Sequence, residues 1–148
     1  AEFSDDELAN ADVLASFGDE VRDGVPDALR TVGAHESAHV TALTDTVEAL
    51  GGTPVSEATY DFGYTTPSEF LGVASGLETT GVAAYAGAAP TVANDDVFNA
   101  AIGIHSVEAR HSAFLNELNA TSPFPEVVDQ PSTMEEVTAI AGQFIVEP

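Results

Sequence analysis

Apolar and polar positions along this chain repeat with helical spacing in three long stretches. The first reads Leu29, Val32, Glu36, His39, Leu43, Val47, Leu50. The second reads Leu71, Ala74, Glu78, Gly81, Tyr85, Ala88, and the third Ala101, Ile104, Glu108, His111, Leu115, Leu118. Steps of three and four keep each set on one helix face, the pattern of a bundle seam. Each seam is small or apolar except near its middle, where it turns acidic, or acidic and imidazole.

Local punctuation bounds these stretches. Pro26 suits a first helical position and Gly51-Gly52 a stop, which predicts a helix over 26–50. Thr66-Pro67-Ser68-Glu69 is a capping box that opens a helix over 67–89, closed by Pro90. A third helix should begin near Asn94 to Asp96 and cover 95–119. Ser4 with Glu7 caps a short helix running to about Phe17, and Ser132 to Glu135 caps a last one ending about Ile145. Residues 51–66 hold Gly, Pro and three aromatics without helical period, so they read as a long connection. No strand signal competes. The expected fold is all-α, a helical bundle forming one domain over residues 1–148.

Glu36-Ser37-Ala38-His39 and Glu108-Ala109-Arg110-His111 are two copies of Glu-x-x-His. Residues three apart share a helix face, so in each copy a carboxylate and an imidazole can grip the same region of space. Glu78 supplies a third carboxylate near the middle of another helix. The short gap at 90–94 makes its helices antiparallel neighbours, whereas the 51–66 loop could stretch roughly 50 Å, enough to cross a helix of about 37 Å and join parallel ones. That is the one-crossover topology of two-metal carboxylate bundles. Ionised carboxylates on apolar seams lose several kcal/mol of solvation each, and this chain has no lysine to pair with them. Bound cations remove that penalty. Oxygen and imidazole donors suit iron or manganese, with zinc also open.

The remaining candidates are weaker. His105 lies one turn before Glu108 on the same face, as an extra ligand, a hydrogen-bond partner of the site, or a half-exposed histidine. Tyr85, two turns after Glu78, reads as a core aromatic that could also donate to a bound oxygen species. His35 points off the seam and reads as structural, and Arg110 as a surface residue. The run His35-Glu36-Ser37-Ala38-His39 also spells H-E-x-x-H, the zinc metalloprotease signature, with Glu36 as general base. That reading leaves Glu78 and the second Glu-x-x-His unexplained.

Charge narrows the classes. Asp and Glu number 25 against three Arg, for a net charge of −22. Nucleic acid is excluded as a partner, since phosphate contacts need a basic patch. Anionic membrane surfaces are disfavoured on the same ground. A hydrophobic content of 44% argues for a folded core rather than disorder. The composition resembles that of proteins from salt-loving archaea, where strong screening removes most self-repulsion. Cysteine is absent, so neither disulfides nor thiolate sites exist, and no apolar run is long enough to span a membrane. Ala1 starts the chain without Met or a signal-peptide pattern, as a fragment or a processed product would, an exported protein shorn of its leader among them.

With these residues in hand, the chain resembles the ferritin-like superfamily, and most nearly its desiccation-related, stress-associated domains of bacteria, archaea, fungi and plants. The resemblance rests on Ala34-His35-Glu36-Ser37-Ala38-His39-Val40, Glu48-Ala49-Leu50-Gly51-Gly52-Thr53-Pro54, and Leu77-Glu78 followed by Gly81 to Pro90. Val107 to Ala113 and Ser122-Pro123-Phe124-Pro125 extend it over nearly the whole chain. It implies that Glu36, His39, Glu78, Glu108 and His111 are ligands of a di-iron-type site holding two ions. It also implies an earlier helix with one more glutamate ligand, of which Ala1-Glu2-Phe3 looks like the tail; Glu2, Glu7 and Glu20 do not match that position. The first bundle helix is then missing, and a lost segment or a neighbouring copy would cover the open seam; a degenerate site is the third option. Two functions follow as expectations: a di-metal oxidoreductase of ferroxidase or catalase type with a stress-protective role, or a non-catalytic ferritin-like stress or surface protein with an incomplete metal site.

Overall fold

The computed structural model describes residues 3–146, so Ala1 and Glu2 lie outside the described residues. The chain is helical throughout its core. Helix α1 covers Asp5–Ala9, α2 Asp19–Ala49, α3 Pro67–Ala88, α4 Asp95–Leu118 and α5 Met134–Ala141. Short 3-10 turns follow α1 at Asp12–Leu14, α3 at Ala89–Thr91 and α5 at Gly142–Phe144.

Three helices open on capping boxes: Ser4 with Glu7, Thr66 with Glu69, and Thr133 with Glu136. The last lies one residue beyond the expected Ser132–Glu135 pair. Asn94 caps α4 by accepting from the backbone of Asp96 and Val97. The predicted helix to Phe17 stops instead at Ala9, because Asn10 and the turn from Asp12 break the ladder. The largest departure is α2. It starts at Asp19, well before the expected position 26, and carries Pro26 at the start of its third turn. A proline there sacrifices one helical hydrogen bond. Tertiary packing offsets that cost, because Val25 and Pro26 are the two fully buried residues of α2 and sit where Arg22 Nε donates to the Ala9 carbonyl at 3.0 Å. Arg30 adds an ion pair to Asp5 at 2.7 Å, holding α1 against α2.

The core gathers Ala11 and Leu14 with Val25 of α2, Leu71 of α3, and Leu115 and Leu118 of α4. Leu71 opens α3 while Leu115 and Leu118 close α4, so these two run antiparallel; Val25, early in α2, sets α2 parallel to α3. Helices α3 and α4 are in extensive contact, and their seam is partly polar. Ser75 Oγ donates to Asn116 Oδ1 at 2.7 Å, Thr79 and Ser112 hydroxyls meet at 2.9 Å, and Asn119 Nδ2 donates to the Leu71 carbonyl at 3.0 Å. Accordingly the buried face of α3 is Leu71, Ser75, Glu78 and Val82, turned slightly from the apolar stripe. Helix α2 is seated more openly, with Val40, Leu43 and Leu50 left 64%, 44% and 62% exposed.

Contrary to the sequence reading, two short strands exist. Thr59–Tyr60 (β1), inside the crossover, pairs antiparallel with Ile145–Val146 (β2). Alternate aromatics hold the crossover in place: Tyr60 stacks on Phe62, Phe62 on Tyr64, and Phe144 closes on Phe62 at 5.4 Å between ring centres. Two-residue strands are too short to show a period.

Both α2 and α4 end in Schellman turns, in which the two residues past the cap bond back to carbonyls of the last turn. After α2 the left-handed position is Gly51, with φ +79°. After α4 it is Ala120, with φ +55°, its N–H on the Glu117 carbonyl and that of Thr121 on Asn116. A Cβ is disfavoured in that conformation by about 1 kcal/mol. Ala120→Gly should therefore stabilise the protein by about that amount, visible as a higher urea midpoint with an unchanged slope.

Candidate metal centre

The middle of the bundle brings together all five residues singled out on the seams. Glu36 and His39 come from α2, Glu78 from α3, Glu108 and His111 from α4. Side chains of Glu78, Glu108 and His111 are 9%, 7% and 7% exposed, whereas Glu36 is 43% exposed on the open flank of α2. One ligand atom each from Glu36, Glu78, Glu108 and His111 lies within 4.8 Å of all the others. His39 stands at the edge of this group, its Nδ1 3.0 Å from Glu108 Oε1 and 3.3 Å from Glu36 Oε1. On the other side, His111 Nδ1 is 3.2 Å from the same Glu36 oxygen and 3.3 Å from Glu78 Oε2. Glu36 Oε1 thus sits between two imidazoles.

These close approaches are not hydrogen bonds. Glu36 Oε1, His39 Nδ1, Glu78 Oε2 and His111 Nδ1 are buried and lack any hydrogen-bond partner. Buried polar atoms are ordinarily paired, and one left unpaired costs about 1–3 kcal/mol. Four such atoms strung together by approaches of 3.2–3.3 Å form a donor set that bound cations would satisfy. Packing keeps the spot clear: a Cβ on Gly81 would stand 3.3 Å from Glu108 Oε2.

Electrostatics point the same way. Burial, then the adjoining Glu108 carboxylate and the charge of Glu36, push Glu78 from 4.5 up to about 9. Glu36 is raised by burial and then by Glu108. Burial lowers His111, aided by His35, His39 and Arg110 and opposed by Glu108. Without a cation, the site holds Glu36 and Glu78 above and His111 below their ordinary ranges, and no lysine exists to relieve it.

A groove of about 490 Å³ opens over the cluster between α2 and α3, walled by Leu29, Val32, Leu43, Ala74 and Tyr85. Burial and the nearby carboxylates push the Tyr85 phenol up to about 12, so it remains a proton donor at neutral pH. His105 is half-buried one turn before Glu108 and has no hydrogen bond to the five. Arg110 is exposed, as its position off the seam implied. His35 departs from expectation. Its Nδ1 lies 2.9 Å from His111 Nε2, so it adjoins the cluster rather than facing away. Seam counting missed it because it stands one residue, about 100°, from Glu36 around the helix; only the approach of α4 on that flank brings it in.

Comparison with known proteins adds one match. A family model described as a ferritin-like domain aligns with residues 2–121. No curated protein matches the chain.

Proposed function

Taking as premise that the chain belongs to the ferritin-like domain family, we propose that Glu36, His39, Glu78, Glu108 and His111 hold a pair of iron or manganese ions. The observation that carries this reading is a run of four buried, unpartnered ligand atoms, each within 3.3 Å of the next. The two Glu-x-x-His motifs would each contribute one imidazole, and Glu36 Oε1 lies within 3.3 Å of both imidazole Nδ1 atoms, so its carboxylate would help hold the pair. Glu108 faces His39, and Glu78 faces His111. Bound there, a redox-active pair supplies electron exchange with dioxygen or peroxide. The protein's own part is to fix the donor positions, shield them on the α3–α4 side and leave the groove beside Tyr85 open to a small oxidant. The role that fits is an oxidoreductase of ferroxidase or catalase type, within the desiccation-related branch and with an acidic surface suited to strong salt.

A protease role needs His35 and His39 on one ion with Glu36 free as base. Here His35 is engaged by His111, and Glu36 lies among the ligand atoms.

A second reading is favoured by the open seating of α2 and by a carboxylate count of three: a non-catalytic stress or surface protein that keeps the fold. Titration with Mn²⁺ or Fe²⁺ separates them. The two-metal reading expects about two ions per chain, consumption of Fe²⁺ or peroxide, and about tenfold or greater weakening in Glu78→Gln. Absence of metal binding in the unsubstituted protein, with Glu78→Gln behaving identically, overturns it.

A further inference from the structure

His35 is exposed on α2, yet its Nδ1 meets Nε2 of the buried His111 at 2.9 Å. The ring planes are 12° apart and the centres 5.2 Å apart, as rings meeting edge to edge through nitrogen should be. A neutral imidazole carries one proton, on one nitrogen or the other. His111 Nδ1 faces Glu36 and Glu78 and is aligned to donate to neither. That nitrogen is useful as a lone pair only if the proton sits on Nε2, and a buried N–H on Nε2 needs an acceptor. Metal-binding histidines ordinarily find one in a carboxylate or a backbone carbonyl. The partner that meets His111 Nε2 here is Nδ1 of His35, which accepts when its own ring proton sits on Nε2.

We propose that His35 is a positioning residue: by accepting a hydrogen bond from His111 Nε2, it fixes the tautomer and ring orientation that turn the His111 Nδ1 lone pair onto the carboxylate cluster. This inference rests on the two-metal reading for its consequence, though the hydrogen bond itself does not. It also gives the H-E-x-x-H run a divided use. His39 faces Glu36 and Glu108 directly, while His35, one turn earlier, reaches across to α4 and acts through His111.

The test uses the full chain and Zn²⁺ alone, a diamagnetic ion without redox chemistry. Nitrogen-15 spectra of the histidine side chains in the metal-free protein should show His111 protonated on Nε2. In His35→Leu, which removes the acceptor at an exposed position, His111 should become a mixture of tautomers, and Zn²⁺ affinity should fall about 10- to 100-fold. In His35→Asn, whose Oδ1 stands near the place of the lost Nδ1, both should return most of the way. A His111 proton found on Nδ1, an unchanged affinity in His35→Leu, or His35→Asn binding as weakly as His35→Leu would each overturn the assignment. Failure of the unsubstituted protein to bind Zn²⁺ would strike the two-metal reading instead, and the tautomer measurement would still decide the role of His35.

Discussion

Loading the metal-free protein with Mn²⁺ at neutral pH should raise its unfolding free energy by about 4 kcal/mol when the free ion stands at a thousand times its dissociation constant. The sign of the pH dependence follows from the site. Glu78 has a folded-state value near 9 against 4.5 for an ordinary glutamate, and Glu36 is displaced in the same direction. A carboxyl raised on folding contributes stability that is complete below the unfolded value and is lost as pH climbs through the folded one. The metal-free protein should therefore weaken steadily between pH 4.5 and about 9. His111 works in the opposite sense. Its value is lowered from 6.5, so its contribution is present above that pH and is lost as pH falls through the folded value. Near neutrality the His111 contribution is intact, and the loss comes from the raised carboxyls. A cation takes the place of the proton on Glu78, so binding at pH 7 should release protons and tighten as pH rises. Urea unfolding across pH, with and without Mn²⁺, measures the first effect. Calorimetric titration in two buffers of different ionisation heat measures the second. A binding heat independent of buffer would show that Glu78 is already ionised in the metal-free state, contrary to its environment here.

Gly87→Val should destabilise the protein by about 1–3 kcal/mol, the usual cost of forcing extra volume into a packed site. Near the end of α3 the chain leading into α5 crosses the helix so closely that a Cβ on Gly87 would lie 1.9 Å from the Ser132 carbonyl oxygen and 2.9 Å from its carbon. Ser132 is held there by its own N–H on the Ala83 carbonyl at 2.9 Å. Backbone atoms cannot rotate aside as a side chain would, so α5 must lift away. Gly76, in the same helix, is the control: a Cβ there meets nothing within 4 Å, and Gly76→Ala should stabilise by roughly 0.5–1 kcal/mol. Thermal unfolding of the pair, with limited proteolysis of the 119–133 segment, reads both. If Gly87→Val keeps its midpoint and its resistance to protease, the close crossing is not a feature of the protein in solution.

Much of this molecule was legible before its structure. The three seams carried the helices because burial on one face imposes a 3.6-residue period, and the capping boxes marked two starts to the residue. The Glu-x-x-His spacing made a shared layer of Glu36, His39, Glu78, Glu108 and His111 an expectation. What was illegible depended on contacts distant in sequence. Pro26 looked like a helix start, and only the burial of Val25 and Pro26 beside α1 explains a helix that runs through it. Ser75, Thr79, Ser112 and Asn116 join α3 to α4 through polar pairs that a search for apolar stripes passes over. His35 left no signal by itself, since its role depends on which flank of α2 faces His111.

The pairing of Thr59–Tyr60 with Ile145–Val146 bears on the order in which the chain assembles. The crossover strand is made before its partner, with α3, α4 and α5 between them in the chain, so all three helices are synthesised before the two can meet. Contacts between such remote segments form late, after the entropy of closing so large a loop has been met by packing elsewhere. Until then, Phe62 lacks its Phe144 partner on the nascent chain. A ribosome-bound polypeptide halted before position 144 would lack the Phe144 ring that closes on Phe62, and would present that face to any chaperone within reach.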